Sequence, residues 1–241
     1  MNSYQNQNKL VFNNINRYFG NTKILDNISL YIKKGELVAL VGPSGCGKST
    51  IFNIMAGLIE PSSGDFTIDG KLSYMYQKDL LLPYKSIIDN ICLPMIIRGD
   101  SKSSAREIVK PYFATFELEG YENMYPHELS GGMRQRANFM RTYFSSDDIM
   151  LLDEPFGALD SITKASIQEW FLKVRKKTNS TIFLITHDID EAIYLADRIY
   201  VLSNKPARIK EEVNLYPKNI DKNDINQVSN IKYHIMNLIR S

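Results

Sequence analysis

Leu37 to Thr50 reads L-V-A-L-V-G-P-S-G-C-G-K-S-T, an apolar run that turns through three glycines and delivers Lys48 and Ser49 onto the start of a helix. No other stretch constrains the fold as strongly: a buried strand must end, the chain must reverse, and a helix must begin, all within one short segment. The spacing matches G-x-x-x-x-G-K-[ST], a loop that cradles phosphates. A triphosphate needs unpaired backbone N–H groups, and a helix N-terminus behind a flexible glycine turn offers several together with a favourable dipole. Gly42, Pro43, Ser44, Gly45, Cys46, Gly47, Lys48, Ser49 and Thr50 are therefore the first candidate nucleotide-binding residues. An ordinary glycine-rich turn between strand and helix is the bland alternative.

The chain has 241 residues and is 44% hydrophobic, enough for one sizeable core with at most a small attached subdomain. A net charge of +2 gives no electrostatic pressure toward nucleic acid or an anionic membrane surface. Cys46 and Cys92 form neither a C-x-x-C pair nor a disulfide framework, which fits a reducing compartment. His127, His187 and His234 are too scattered for metal-ligand spacing. The N-terminal M-N-S-Y-Q-N-Q-N-K-L lacks a basic region followed by an apolar stretch, and no apolar run approaches the roughly twenty residues that span a bilayer. The expectation is a soluble chain whose membrane connection, if any, runs through a partner.

Along the chain, residues 9 to 36 alternate as strands do, with a turn at Lys33-Lys34-Gly35-Glu36. The helix opening at Lys48 is expected to carry Ile51, Ile54, Met55 and Leu58 on one face and to stop near Gly57. Short strands are predicted at Gly64 to Ile68 and Leu72 to Tyr76. From about Asp89 to Ser146 the pattern turns helical: Ala105, Ile108, Val109, Tyr112, Phe113 and Phe116 share three-and-four spacing, and a second helical stretch follows Ser130. Apolar runs at Ile149 to Leu152, Thr181 to Thr186 and Arg198 to Leu202, with helices near Ser161 to Lys177 and Ile189 to Ala196 between them, predict a parallel sheet covered on both faces. The chain after Pro206 reads as a polar tail with a last helix from Val228 to Ile239. The expected organisation is a single α/β domain over 1–241, with a core and antiparallel β-subdomain at about 9–88 and 147–213, a helical insertion at about 89–146, and a tail at 214–241.

The run Ile149-Met150-Leu151-Leu152-Asp153-Glu154 is a buried strand ending in two carboxylates. Asp153 can hold magnesium from the strand's C-terminal edge, and Glu154 can polarise a water toward a γ-phosphate. Leu129-Ser130-Gly131-Gly132-Met133-Arg134-Gln135-Arg136 offers a hydroxyl and two glycines at a helix start, a second anion site or simply an N-cap. A second phosphate-type site beside one phosphate loop needs an explanation.

With these residues in order, the sequence resembles the ATP-binding subunit of ABC transporters over about Leu10 to Val213. The match runs through the phosphate loop Gly42 to Ser49, Gln77 of the Q-loop, the signature Leu129 to Gln135, Asp153-Glu154, Ala158-Leu159-Asp160 of the D-loop and His187 of the H-loop. The resemblance implies a P-loop NTPase (RecA-like) core with a mainly parallel sheet, an N-terminal antiparallel β-subdomain and an inserted α-helical subdomain. It implies a head-to-tail homodimer enclosing two ATP molecules, each between the phosphate loop of one copy and the signature of the other, which accounts for the second anion site. On this resemblance Lys48 contacts the β- and γ-phosphates, and Ser49 and Asp153 organise Mg2+, with Gln77 reporting on the metal and the attacking water. Glu154 is the general base, His187 contacts the γ-phosphate, Ser130, Gly131 and Gly132 close the site in trans, and Asp160 of the D-loop joins the nucleotide-binding residues. Phe19, before Gly20, is the candidate for stacking on adenine, with Tyr18 as its rival. Met133 departs from the family pattern, where glutamine is common.

Met75 to Tyr84 and Leu202 to Ile209 resemble the importer subgroup for nitrate, sulfonates, taurine and thiamine-precursor pyrimidines, with Tyr84 in place of the usual tryptophan. The partners implied are a second copy, two membrane permease subunits and, indirectly, a solute-binding protein, with the chain held on the cytoplasmic side of the membrane and no nucleic acid involved. Two other readings keep the ATPase: a soluble switch in repair or translation, and an exporter.

Overall fold

The computed structural model describes residues 8–146, 148–215 and 224–240. Residues 1–7, on which the expectation of no leader segment rests, and residues 216–223 and 241 of the expected tail lie outside the described residues. In chain order the elements are β1 (Asn8–Phe19), β2 (Thr22–Lys33), β3 (Leu37–Val41), α1 (Lys48–Met55), β4 (Ser63–Ile68), β5 (Leu72–Met75), α2 (Ile87–Ile97), α3 (Lys102–Val109), α4 (Tyr112–Thr115) and, after a 3-10 turn at Pro126–Glu128, α5 (Gly131–Ser145). They continue with β6 (Ile149–Asp153), α6 (Ser161–Thr178), β7 (Thr181–Ile185), α7 (Ile189–Leu195), β8 (Arg198–Leu202), β9 (Ile209–Asn214) and α8 (Ile225–Arg240). The chain divides into two compact units, Met1–Lys71 with Thr181–Ser241, and Leu72–Ser180.

In the first unit β1 pairs antiparallel with β2 and β4, Phe19 opposing Thr22 across the hairpin end. Separately, β3 lies between β7 and β8, parallel to both, and β9 closes the edge antiparallel to β8. Every residue of β3, β7 and β8 is buried, the pattern of strands covered on both faces. One of those buried residues is charged. Arg198, 2% exposed, donates from Nε and Nη2 to the two oxygens of Glu36 at 2.8 Å each and stacks on the Tyr31 ring at 4.0 Å. Its Nη1 lies 3.2 Å from Glu212 and donates to Tyr200 Oη at 2.6 Å. Glu36 is the last residue of the predicted turn, so that turn carries the counter-ion of the β8 arginine. α8 docks beside α7 through Ile235, which is fully buried, and through Lys232 Nζ to Asp190 at 2.7 Å.

In the second unit β5 runs parallel to β6, Met75 opposing Leu152, and helices α2 to α5 occupy Ile87–Ser145 between them in sequence. The α5–α6 packing is aromatic: Phe139 lies 5.0 Å from Phe171 and 5.8 Å from Trp170, with Phe156 of the turn after β6 at 5.7 Å.

Three local expectations are corrected. Leu58 is not on the buried face of α1 but 58% exposed, because the helix ends before Gly57, whose φ of +68° turns the chain and sends the Leu58 N–H to Asn53 O. The predicted continuous helix through Ala105 and Phe116 is two, α3 and α4, separated at Pro111, and Ile108 faces outward at 46% exposure. The stretch after Pro206 is not simply a tail, since Ile209–Asn214 forms β9. Its half-exposed, Lys/Glu-rich composition suits an edge strand, which is held by backbone bonds to one neighbour. The expected last helix falls inside α8.

Glu36→Ala leaves the buried guanidinium with Glu212 as its remaining carboxylate. It is expected to lower stability by about 3 kcal/mol, read in thermal unfolding as a fall in Tm of roughly 6–12 °C.

Candidate nucleotide site

The phosphate loop leaves β3 and enters α1. Gly47 sits at φ +128°, which favours glycine, and a Cβ there would lie 2.9 Å from Leu25 Cδ2, so a side chain would also press on that leucine. Because the N-cap is Gly47, no side chain caps α1. By contrast α2, α3, α5, α6 and α7 are capped by Ser86, Ser101, Ser130, Asp160 and Asp188. The first-turn N–H groups of α1, at Lys48, Ser49 and Thr50, are thus not taken by a capping side chain. Lys48 is folded into the loop, donating to Gly42 O at 2.8 Å and Pro43 O at 2.9 Å. Ser44, Gly45 and Ser49 are exposed and Pro43 and Thr50 partly so, whereas Gly42 and Cys46 are buried. Burial pushes the Cys46 thiol up, and the same cause raises that of Cys92 to about 11, so neither is a ready nucleophile.

His187 follows β7, beside β3. Leu40 pairs with Ile185, and Thr186 N donates to Leu40 O at 3.3 Å, so the H-loop and the phosphate loop leave neighbouring parallel strands at the same end. His187 is exposed. At the β1–β2 hairpin both adenine candidates are half-exposed, Tyr18 at 42% and Phe19 at 48%. The Arg17 guanidinium lies over the Phe19 ring at 4.6 Å, and Lys23 Nζ lies 5.4 Å from that of Tyr18.

In the second unit Gln77 and the acidic pair come together. They leave the paired strands β5 and β6, and Gln77 Nε2 donates to Glu154 Oε2 at 3.2 Å. Glu154 takes φ +46°, a left-handed conformation that a non-glycine residue adopts only when its surroundings impose it. Gly157 N donates to Glu154 O at 3.1 Å and closes the turn. Tyr74 was not among the sequence candidates, yet its hydroxyl donates to Asp153 Oδ2 at 3.1 Å. Burial, and then the carboxylate beside it, push the Tyr74 phenol up, so it stays a neutral donor at ordinary pH. Its ring stacks on Tyr76 at 4.3 Å.

The signature opens α5. Ser130 and Gly131 are exposed, and Ser130 Oγ accepts from Met133 N at 3.3 Å, an N-cap. Gly132 is buried, and a Cβ there would stand 3.1 Å from Thr163 Cγ2 of α6, a close approach that a larger residue would crowd. Gln135 Nε2 donates to Pro155 O, which ties α5 to the residue after Glu154. Asp160 caps α6, accepting from Ile162 N at 3.2 Å and Thr163 N at 3.1 Å, and bonds from Thr163 hold its carboxyl below the usual range. His127 is exposed beside Tyr125.

A family model described as "ABC transporter" matches residues 25–157. The chain belongs to the ABC transporter family. As such it binds and hydrolyses ATP. The formylaminopyrimidine import ATP-binding protein ThiZ of Halalkalibacterium halodurans is 41% identical over 83% of this chain and 81% of its own length. The aliphatic sulfonates import ATP-binding protein SsuB of Bacillus thuringiensis subsp. konkukian is 38% identical over 86% of this chain and 87% of its own. Among solved structures, the dimeric structure of MJ0796, a bacterial ABC transporter cassette, superposes with a TM-score of 0.71 at 31% identity, covering 86% of this chain and 98% of that one. No helix among the described residues is long and apolar enough to cross a membrane.

Tyr74→Phe removes one hydrogen bond to the Asp153 carboxylate, worth about 1.5–3 kcal/mol for a charged acceptor. Steady-state phosphate release is expected to fall about tenfold, and Tm by roughly 3–12 °C.

Proposed function

We propose that this chain is the ATP-hydrolysing subunit of an importer for a small solute of the sulfonate, nitrate, taurine or thiamine-precursor pyrimidine class. It works as a head-to-tail homodimer beneath two permease subunits on the cytoplasmic side of the membrane, with a solute-binding protein delivering the cargo. The observation that carries this reading is the likeness, over more than four-fifths of the chain, to relatives whose names specify import of a formylaminopyrimidine and of aliphatic sulfonates.

In this reading the uncapped start of α1 and the Lys48 ammonium bind the β- and γ-phosphates, exchanging the carbonyls of Gly42 and Pro43 for anionic oxygens. Phe19 stacks on adenine. Glu154 accepts a proton from the attacking water as that water's oxygen bonds to the γ-phosphorus and the bridging oxygen leaves with ADP. Gln77, already bonded to Glu154, orients that water, and His187 stabilises charge on the γ-phosphate. Ser130, Gly131 and Gly132 of the second copy complete the site, with Asp160 at the same interface.

Magnesium fits the donors available. The Ser49 hydroxyl, the Asp153 carboxylate and the Gln77 amide oxygen are all hard oxygen ligands, and Gln77 presents its Nε2 to Glu154, which turns its oxygen the other way. When bound, the ion would supply positive charge to offset that of the phosphate oxygens. Tyr74 keeps Asp153 oriented for it.

For transport, ATP must favour the closed dimer by about 5.5 kcal/mol to move it from a minor to a dominant state. Glu154→Gln is expected to retain ATP binding, accumulate as an ATP-dependent dimer in sedimentation velocity, and lose turnover by about a hundredfold or more. Wild-type hydrolysis in that variant would remove Glu154 from its role. Import is tested separately, by reconstituting the chain with its permease and binding protein and finding which solute stimulates phosphate release.

A further inference from the structure

Helix α5 carries Arg134, Asn138 and Arg141 at i, i+4 and i+7, on one face; the two arginines are partly exposed, whereas Asn138 is buried along with Ala137, Phe139, Met140 and Thr142. That polar stripe does not simply face solvent. Arg141 Nη1 donates to Leu80 O at 2.7 Å, and its Nη2 donates to Asp79 O and to Asn138 Oδ1, each at 2.7 Å. Arg134 Nε lies 3.4 Å from Asp79 Oδ2, and Arg134 Nη1 donates to Leu129 O at 2.7 Å, next to Ser130. The helix therefore holds the loop after β5 by its backbone at one end of the stripe and by a carboxylate at the other.

The loop needs holding. Leu80 has φ +44°, a conformation that costs a branched apolar residue free energy, and its side chain is 52% exposed, so packing supplies little to offset the cost. The guanidinium fork supplies it, with charge-assisted bonds to two successive carbonyls. Two residues before Asp79, Gln77 touches Glu154, and the residue after Glu154 is bonded to Gln135 of the same helix. Both sides of the Gln77–Glu154 contact are thus anchored to α5, whose first turn is the signature.

We propose that Arg141 is a positioning residue for ATP hydrolysis: by gripping the carbonyls of Asp79 and Leu80 it makes the placement of Gln77 against Glu154 follow the signature helix. When α5 shifts as its first turn meets nucleotide, the loop moves with it and Gln77 is set or withdrawn. Without the fork the loop relaxes from the left-handed turn and Gln77 loses its register. This deepens the function proposed above and rests on it in one respect, that Gln77 and Glu154 act in hydrolysis.

The test compares Arg141→Ala, Arg141→Lys, Gln77→Ala and Arg98→Ala. Arg98 donates to Phe144 O at 2.9 Å and to Ser145 O at the far end of α5, so its loss reports a purely structural effect on the same helix. Each is measured for kcat, for Tm, for affinity by titration with a fluorescent ATP analogue, and for the maleimide labelling rate of Lys78→Cys, with Cys46 and Cys92 buried and slow to react. Arg141→Ala is expected to lower kcat about tenfold or more, to leave affinity within about threefold, and to speed labelling about threefold or more. Arg141→Lys restores part of both, since one ammonium can reach one carbonyl but does not present the fork. Unchanged labelling in Arg141→Ala overturns the proposal, as does a joint fall of kcat, affinity and Tm matching Arg98→Ala. If Gln77→Ala is slow and Arg141→Ala is not, the proposal fails while the function stands. If Gln77→Ala keeps wild-type kcat, the role of Gln77 fails and takes the proposal with it. Should Arg141→Ala not fold, Arg141→Gln carries the same comparison.

Discussion

The constraint on which the rest depends is that β3, β7 and β8 are buried along their whole lengths. A strand covered on both faces has no room for catalytic side chains, so such groups are displaced to its ends. Where buried strands run parallel, their C-terminal ends lie together, and the loops leaving them converge. The phosphate loop after β3 and His187 after β7 share one such edge, as do Gln77 after β5 and Asp153-Glu154 at the end of β6. The exception is Arg198, a charge inside a strand, and it is matched by Glu36, Glu212 and two tyrosine rings.

Loops that leave a sheet edge are free to wander unless something outside the sheet fixes them. In the second unit that work falls to α5, which holds Asp79, Leu80 and Pro155 by side-chain bonds and is itself seated on α6 through Phe139 and the close approach at Gly132. One helix thus connects the serine that faces outward at its start with the two loops that carry Gln77 and Glu154. The left-handed conformations at Leu80 and Glu154 fall at the places it grips.

Much of this was legible in the residues. The spacing from Gly42 to Ser49 required a strand, a tight turn and a helix, and each is present. The apolar runs marked β3, β6, β7 and β8 because burial on both faces leaves a continuous hydrophobic signature. What stayed hidden follows from physics that periodicity does not record. Arg134 and Arg141 read as charges on a solvated helix face, and only the path of the loop reveals that Arg141 holds its backbone carbonyls and Arg134 its carboxylate. Tyr74 sits in a four-residue strand where an aromatic needs no special explanation. β9 is held by backbone bonds along one edge, so its polar composition concealed it. The spacing of the signature points Gly132 at a phosphate and says nothing of Thr163, which a side chain at that position would crowd. The roles assigned to Ser130 and Asp160 share this double character, since both side chains cap their own helices.

The central claim is that the phosphate loop is half of a nucleotide site and that the signature of a second copy supplies the other half. Complementation tests it most directly: purify the Lys48→Ala and Ser130→Phe variants, mix them in equal amounts, and measure ATP hydrolysis. Each variant alone has two defective sites per dimer, but a mixed head-to-tail dimer has one site with neither defect, so random mixing is expected to recover up to about a quarter of wild-type turnover. A mixture as inactive as its parts, in preparations shown to exchange subunits, would contradict the account.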